Sequence, residues 1–364
     1  NDIVPGEVVR REHRRFRALL ERYTTVRELR ELLVTALESP DGRRRAKEGL
    51  RRLAPELSVD FDHLEAGELA AMLIEGIPKR ARSFQEYFSK RAYDLPPLPN
   101  LYFMRDSAFV FRETLFISSM AFQVRQGETL LTELALRHGL PCSVERVVEM
   151  DGRIEGGDIA ILSPTLLLAG ISERTSAESL DSLALAAASC AGERVTVVGV
   201  VLPHKRSTIH LDMVFTQIDT SLALVHGESL AEATVLSLRT EPEGASTLRE
   251  EPSLSAALER AGHPMGLVTC GGGDPISEAR EQWLAAANTI ALAPGVIVTF
   301  EANSATNNKL AEKEGFRQIV VGSQELPAPP LQGRYLFEIP GVELARGGGG
   351  PRCMTLPIRR APPG

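Results

Sequence analysis

The sequence predicts an α/β fold assembled from repeated modules behind a helical first quarter, and three observations carry that expectation. A strand–turn–strand pattern occurs four times, with a truncated fifth near the end of the chain. Segments with helical periodicity lie between the copies. The first ninety or so residues show almost none of the alternation expected of strands.

In chain order, VVRREHRRFRALLERY (8–23), VRELRELLVTALES (26–39) and GELAAMLIEGI (67–77) place apolar residues at helical spacing. The Arg/Lys-rich segment 41–52 between them reads as a solvated helix face. The run DLPPLPN (94–100) breaks the pattern. The hairpin copies then follow: SAFVFRETLFISS (107–119), IAILSPTLLLAGIS (159–172), MVFTQIDTSLALV (213–225) and TIALAPGVIVTF (289–300). MTLPI after Cys353 is the expected truncated fifth. GETLLTELALRHG, SAESLDSLALAAASC, SLSAALERAG and SATNNKLAEKEG are the expected intervening helices. The unequal spacing between copies suggests a closed array of αβ modules rather than one open sheet.

The composition sets outer limits. With 364 residues the chain has ample length to bury a core, and 43% hydrophobic with 24% charged residues is a globular balance. A formal net charge of -7 argues against a general binder of nucleic acid or anionic membranes. No run of 18 apolar residues and no signal-peptide pattern appears, so a cytoplasmic protein is expected. Cys142, Cys190, Cys270 and Cys353 are widely separated and form no CxxC pair, which suits a reducing compartment and neither a disulfide framework nor a zinc site. Cys142, Cys190 and Cys270 read as small apolar residues and Trp283 as a helix packing residue. GGGD (271–274) lacks the frame of a phosphate loop and reads as a turn.

The residue just before each hairpin is polar: Asp106, Asp158, Asp212 and Asn288, with Cys353 before the fifth. Singly these are common turn residues. Five in one register suggest a shared centre, because a polar residue entering a buried strand needs partners. Glu155 precedes Gly156 and Gly157, which are expected to let the backbone bend sharply. His210 and Asp212, two apart on an expected strand, would share a face. A thiol beside a histidine can ionise and act as a nucleophile. Surrounding carboxylates oppose that until a cation joins them. A guanidinium, planar and electrophilic at carbon, matches paired carboxylates in charge and shape.

NLYFMRD, IEGGD, HLDMVFTQID and GGPRCM, with AREQWLAAANTIALAPGVIVTFEAN (279–303), resemble the motifs of the arginine deiminases, the guanidine-modifying branch of the pentein superfamily. The resemblance spans nearly the whole chain. It implies a five-bladed α/β propeller (pentein) with an inserted helical bundle domain. By this division residues 1–24 begin the propeller without its first strand, 25–92 form the insertion and 93–364 complete the propeller. It further implies hydrolysis of arginine to citrulline and ammonia through an amidino-cysteine intermediate, with no metal or organic cofactor. Cys353 would be the nucleophile, His210 and Glu155 the acid/base pair, and Asp106 and Asp212 the guanidinium ligands. Asn100, Arg125 and Arg174 match the residues that hold the substrate carboxylate, and Phe103 one that lines the substrate. The expected partner is a small guanidino compound, not nucleic acid or membrane, and the family's frequent oligomerisation leaves a homo-oligomer open.

Three departures from the family pattern stand out. Gly348 occupies the place of the second arginine in the glycine loop, although Arg346 is present. Gly127 replaces a polar or basic residue, and the family's opening strand with its His-Arg-Pro-Gly type segment has no counterpart. The first of these points to an alternative: a hydrolase or amidinotransferase with the same thiol mechanism acting on a different guanidino compound. A catalytically silent arginine-binding protein is the remaining rival, and it would have no use for an activated thiol.

Overall fold

The computed structural model describes residues 5–57, 59, 61, 63–80, 83–88, 92–141 and 146–360. The first quarter is helical as expected: α1 (Gly6–Tyr23), α2 (Leu29–Glu38), α3 (Pro40–Leu53) and α4 (Ala66–Glu75). Helix α1 buries Phe16, Leu19 and Leu20, one stripe at helical spacing. Helix α3 starts on Ser39, whose hydroxyl accepts from the Gly42 amide, with Pro40 in its first turn. Its arginines correct the expectation of a merely solvated face. Arg43 donates to the carbonyls of Leu37 (2.7 Å) and Leu64 (2.9 Å). Arg45 pairs with Glu133 (2.7 Å) and Glu149 (2.8 Å), tying the helix to the first module.

Beyond residue 92 the chain is a mixed α/β structure of several separate sheets. All four expected hairpins form: Ala108–Phe111 with Thr114–Ile117, Ile159–Ser163 with Leu166–Ile171, Phe215–Asp219 with Leu222–Val225, and Ile290–Ala293 with Val296–Phe300. In each, the second strand also takes a parallel neighbour from later in the chain. The connection runs through a helix, the usual way to reverse direction between parallel strands. Gln126–Leu134, Ala177–Ala191, Leu254–Arg260 and Ser304–Glu314 are those helices. The second sheet extends to five strands through Val195–Val201, Val235–Thr240 and Ser246–Glu251. Among the described residues no sheet closes on itself.

The expected fifth strand after Cys353 does not form. Residues 355–360 run without a ladder partner, and Pro357 cannot donate to one. No helix among the described residues is long and apolar enough to cross a membrane. Trp283 ends the helix Pro275–Trp283 at 59% exposure, so it is a surface residue rather than the packing residue expected. Cys270 is fully buried and Cys190 half-buried, while Cys142 lies outside the described residues.

The helices of the first quarter divide between two cores. Leu33, Leu37, Leu50 and Leu69 of α2–α4 pack with Leu115 and Leu131 of the first module. Helix α1 instead joins Val298, Phe300 and Phe337 of the last sheet, and this cluster reaches Cys353 and Met354. Tyr23 stacks on Phe337 at 5.1 Å, and buried Glu12 accepts from the Leu344 amide at 3.0 Å. The start of the chain therefore braces the segment that carries the C-terminal cysteine. Replacing the fully buried Phe337 by alanine leaves a ring-sized cavity and is expected to cost about 3–5 kcal/mol. Urea denaturation checks this, and an unchanged midpoint would show that α1 and the last sheet do not share one core.

Candidate active site

Three of the residues expected at the centre enter their hairpins from single helical turns: Met104–Ser107, Gly156–Asp158 and Leu211–Met213. His210 and Asp212 are therefore not strand neighbours as expected. His210 is the residue before a turn that contains Asp212. Both are nevertheless buried at the centre, at 2% and 1% exposure. The glycines of IEGGD also act differently from the expectation of a sharp bend, since neither has positive φ. They permit close approach: a Cβ on Gly157 would lie 2.7 Å from Asp106 Oδ1 and 2.8 Å from the His210 ring.

The five register residues are all buried, and contacts link three of them directly. Cys353 Sγ lies 3.4 Å from Asp212 Oδ2 and accepts from Asn288 Nδ2 at 3.0 Å. The Asn288 side-chain oxygen accepts from the Cys353 amide at 3.0 Å, so one amide fixes both the backbone and the sulfur of the cysteine. Asp158 plays a supporting part: it accepts from Ser172 Oγ (2.7 Å) and from the Leu211 amide (2.8 Å), pinning the turn that presents Asp212. His210 Nε2 donates to Glu155 Oε2 at 2.7 Å, and its Nδ1 faces Asp106 Oδ1 at 3.7 Å. Asp106 Oδ1 and Asp212 Oδ1 are buried and accept no hydrogen bond among the described residues. Two such oxygens beside a thiol are costly unless a donor meets them.

Arg125 and Arg174 both reach this cluster. Arg125 is buried, with Nη1 2.9 Å from Asp106 Oδ2 and 3.6 Å from Glu155. Its other edge forms a fork on Glu128, at 2.9 and 2.6 Å. Arg174 lies 3.4 Å from Glu155 and 4.3 Å over the ring of Phe122. Glu128 was absent from the sequence expectations, although its position three residues after Arg125 at a helix start is the spacing of a side-chain pair. Asn288 was recognised only by its register, and its amide contacts depend on the fold. Phe103 is buried beside the glycine loop, and Asn100 is half-buried just ahead of it.

The loop before Cys353 is shaped by what it touches. A Cβ on Gly347 would collide with the Tyr102 hydroxyl, one on Gly349 would come within 2.6 Å of Phe103, and one on Gly350 within 2.6 Å of the Asn288 carbonyl. Gly348 alone is open to solvent, and its φ of 102° is a conformation for glycine. Arg346 at the head of the loop is exposed and pairs with Glu343.

The electrostatics follow from burial and from these partners. Burial alone would lower the His210 pKa, but Asp106, Glu155 and Asp158 reverse this and hold it up to about 10. Burial would raise Glu155, yet the bond to His210 and the charges of His210, Arg174 and Arg125 bring it down to about 2. Burial dominates at Asp158, which rises to about 6 against the pull of His210 and its hydrogen bonds. The Cys353 thiol is pushed well up by burial, then by Asp212 and Asp106. At neutral pH the centre thus holds an imidazolium, ready to give up a proton, beside a protonated thiol. Asp106, Glu155 and His210 offer ligand atoms within 4.8 Å of one another, a spacing that a metal ion could bridge. Arg125 already lies against both carboxylates and supplies the positive charge there.

The arginine deiminase family model matches residues 1–360. The arginine deiminase of Latilactobacillus sakei is 35% identical over 278 residues, covering 73% of this chain and 63% of the relative. That of Mycolicibacterium gilvum is 34% identical over 322 residues, covering 85% of this chain and 75% of the relative. The chain thus spans less than two thirds of the length of the former. Among solved structures, the ternary complex of AgrE with ornithine and NAD+ superposes with a TM-score of 0.50 at 19% identity. The match covers 72% of this chain and 31% of AgrE, and it bears on the fold alone.

The imidazolium gives the site a pH signature. The folded-state pKa of His210 lies above its ordinary 6.5, so its contribution to stability is complete below about pH 6.5 and fades as pH rises through about 10. Glu155 has the opposite sign, contributing fully above about 4.5 and losing this as pH falls through about 2. The native protein is therefore expected to exceed His210→Ala in stability by most near pH 6, with the gap narrowing toward pH 10. Denaturant titrations of both proteins across that range provide the measurement. A gap that widened with pH would mean that His210 is buried neutral.

Proposed function

The chain belongs to the arginine deiminase family, and on that premise we propose that it hydrolyses the guanidinium of L-arginine to L-citrulline and ammonia. The observation that carries the proposal is the pair of unbonded buried oxygens, Asp106 Oδ1 and Asp212 Oδ1, in the carboxylate cluster that holds the Cys353 thiol. A guanidinium offers planar N–H donors to both oxygens and adds the positive charge that lowers the thiol pKa.

The thiolate of Cys353 attacks the central guanidinium carbon and forms a C–S bond. His210, protonated and held by Glu155, gives its proton to the departing nitrogen, which leaves as ammonia. Water then gives a proton to the resulting neutral imidazole and attacks the same carbon. The C–S bond breaks, the ureido product leaves and the thiolate is restored. Asn100, Arg125 and Arg174 take the substrate carboxylate in this reading, and Phe103 lines the chain. That role requires Arg125 to turn away from Asp106, which frees the carboxylate for the substrate as the guanidinium enters.

The same reading assigns residues 1–24 and 93–364 to a five-bladed α/β propeller and 25–92 to an inserted helical bundle. The packing of α1 on the last sheet and of α2–α4 on the first module supports this division. The enzyme is expected to act on a small guanidino compound in the cytoplasm, and a homo-oligomer is compatible with it.

Gly348 favours a second reading, in which the substrate is a different guanidino compound taken up by the same chemistry. The position is exposed, and a Cβ there would meet nothing within 4 Å. With φ at 102°, an arginine at this place would strain the loop by about 1–3 kcal/mol. Gly348→Arg is therefore expected to lower stability and turnover rather than improve them. A gain in arginine turnover would show that the loop had simply lost a substrate contact.

Incubation with arginine and related guanidines, with ammonia and ureido product both measured, tests the assignment. Arginine turnover should fall at least about a thousandfold in Cys353→Ala, the range seen when a covalent nucleophile is removed. Turnover of another guanidine but not of arginine would favour the second reading. Turnover that survived in Cys353→Ala would refute both.

A further inference from the structure

Two guanidiniums lie directly behind the nucleophile loop, and neither is used in a close ion pair. Arg105 is 3% exposed, and its side chain donates to neutral acceptors: the Arg352 carbonyl at 3.4 Å and Thr355 Oγ1 at 3.3 Å. Among the described residues no carboxylate lies within ion-pair distance of it. Arg352 precedes Cys353, and its side chain is 15% exposed. Its Nη2 donates to the Ile159 carbonyl at 3.4 Å, while its buried Nε has no hydrogen bond and sits 4.0 Å from Asp212 Oδ2. A buried guanidinium without a carboxylate, as Arg105 is, is costly, and repulsion by Arg352 makes it more so. Loop anchoring alone does not account for the charge, because neutral donors could make the same bonds to carbonyls and a hydroxyl.

We infer that Arg105 and Arg352 are positioning residues that place positive charge beneath Cys353, offset the surrounding carboxylates and let the thiol ionise. The inference rests on the reading of Cys353 as the nucleophile. The buried anions of the centre are Asp106, Glu128, Glu155, Asp158 and Asp212, on four different turns and helices, and of these Asp212 and Asp106 act on the sulfur. The cations are Arg105, Arg125, Arg174, His210 and Arg352. Tyr102 is neutral, its phenol pushed up to about 12 mainly by burial. With Arg360 behind Arg105 and Arg352, the centre is close to balance with the thiol protonated, and loss of either rear guanidinium shifts it toward negative charge before the thiol has ionised. Burial lowers the pKa of both guanidiniums, and Arg352 and Arg360 lower that of Arg105 further, while Asp212 and an ionised Cys353 pull both the other way.

The test is the pH dependence of alkylation, in which the thiolate forms a C–S bond with iodoacetamide as iodide leaves. Labelling is followed at Cys353 by peptide mass spectrometry, so the other cysteines do not interfere. In Arg105→Met the apparent thiol pKa is expected to rise by about one unit or more, a roughly tenfold slower reaction at a fixed pH below it. Arg105→Lys keeps the charge and loses the fork, and it should retain the native profile. If Met and Lys variants both lose turnover while each keeps the native alkylation pKa, Arg105 only clamps the loop and the inference fails. Should Arg105→Met not fold by circular dichroism, Arg352→Met decides the question, since that side chain makes a single hydrogen bond among the described residues. Native protein that alkylates normally but forms no ureido product would overturn the proposed function instead, and the alkylation profiles would still judge the rear charges.

Discussion

Asp106, Glu155, Asp158 and Asp212 are buried within one small centre, and the rest of the structure has to compensate for that concentration of negative charge. Each ion taken from water costs several kcal/mol, and like charges at these distances add to it. The balance is supplied inside the protein. His210 joins Asp106 to Glu155, Arg125 bridges the same two carboxylates, and Arg174 closes the far side of Glu155. Hydrogen bonds from Ser172 and the Leu211 amide satisfy Asp158. What is left over is specific: one oxygen each of Asp106 and Asp212, and a thiol that burial, then Asp212 and Asp106, keep protonated. A cationic ligand with several N–H donors corrects both deficits at once. Binding and activation are then one electrostatic event.

The modules exist to bring those groups together from distant parts of the chain. Each hairpin is short, the first three are mostly buried and the fourth buries its second strand, and the segment entering each places one polar side chain at the inner end. The fourth copy contributes an amide rather than a carboxylate. Asn288 both accepts from the Cys353 backbone and donates to its sulfur, which an aspartate could not do. The fifth position needs no strand, because Asn288 and the turn before it hold the cysteine by hydrogen bonds.

Much of this was legible in the sequence, and the failures have physical causes. The four hairpins were visible because apolar alternation and polar turns recur, and the five central residues because they share a register. MTLPI resembles a strand by composition, but strand formation requires a ladder partner, and among the described residues none pairs with 355–360. In the sequence His210 and Asp212 read as strand neighbours, because the single turn Leu211–Met213, which His210 precedes, carries no periodicity of its own. The inward course of Arg125 depends on Glu128, and an arginine–glutamate pair three apart looks the same on an exposed helix as in a buried centre. Arg105 and Arg352 escaped notice for a related reason: charge in a sequence is read as surface until burial is known.

The glycine loop shows how tightly the setting of Cys353 is determined. Three of its four glycines are excluded from bearing a side chain by Tyr102, Phe103 and Asn288, and Asn288 also donates to the sulfur. Substituting any of the three would displace the loop from the wall of the site. Gly348 differs in that space is available and only the backbone conformation forbids a side chain. A loop that once carried a longer residue there would have to change its φ, and with it the path from Arg346 to Cys353. The absence of a side chain at the mouth and the placement of the thiol are therefore one structural decision. Any difference in substrate choice at this position arises through the backbone as well as through the missing contact.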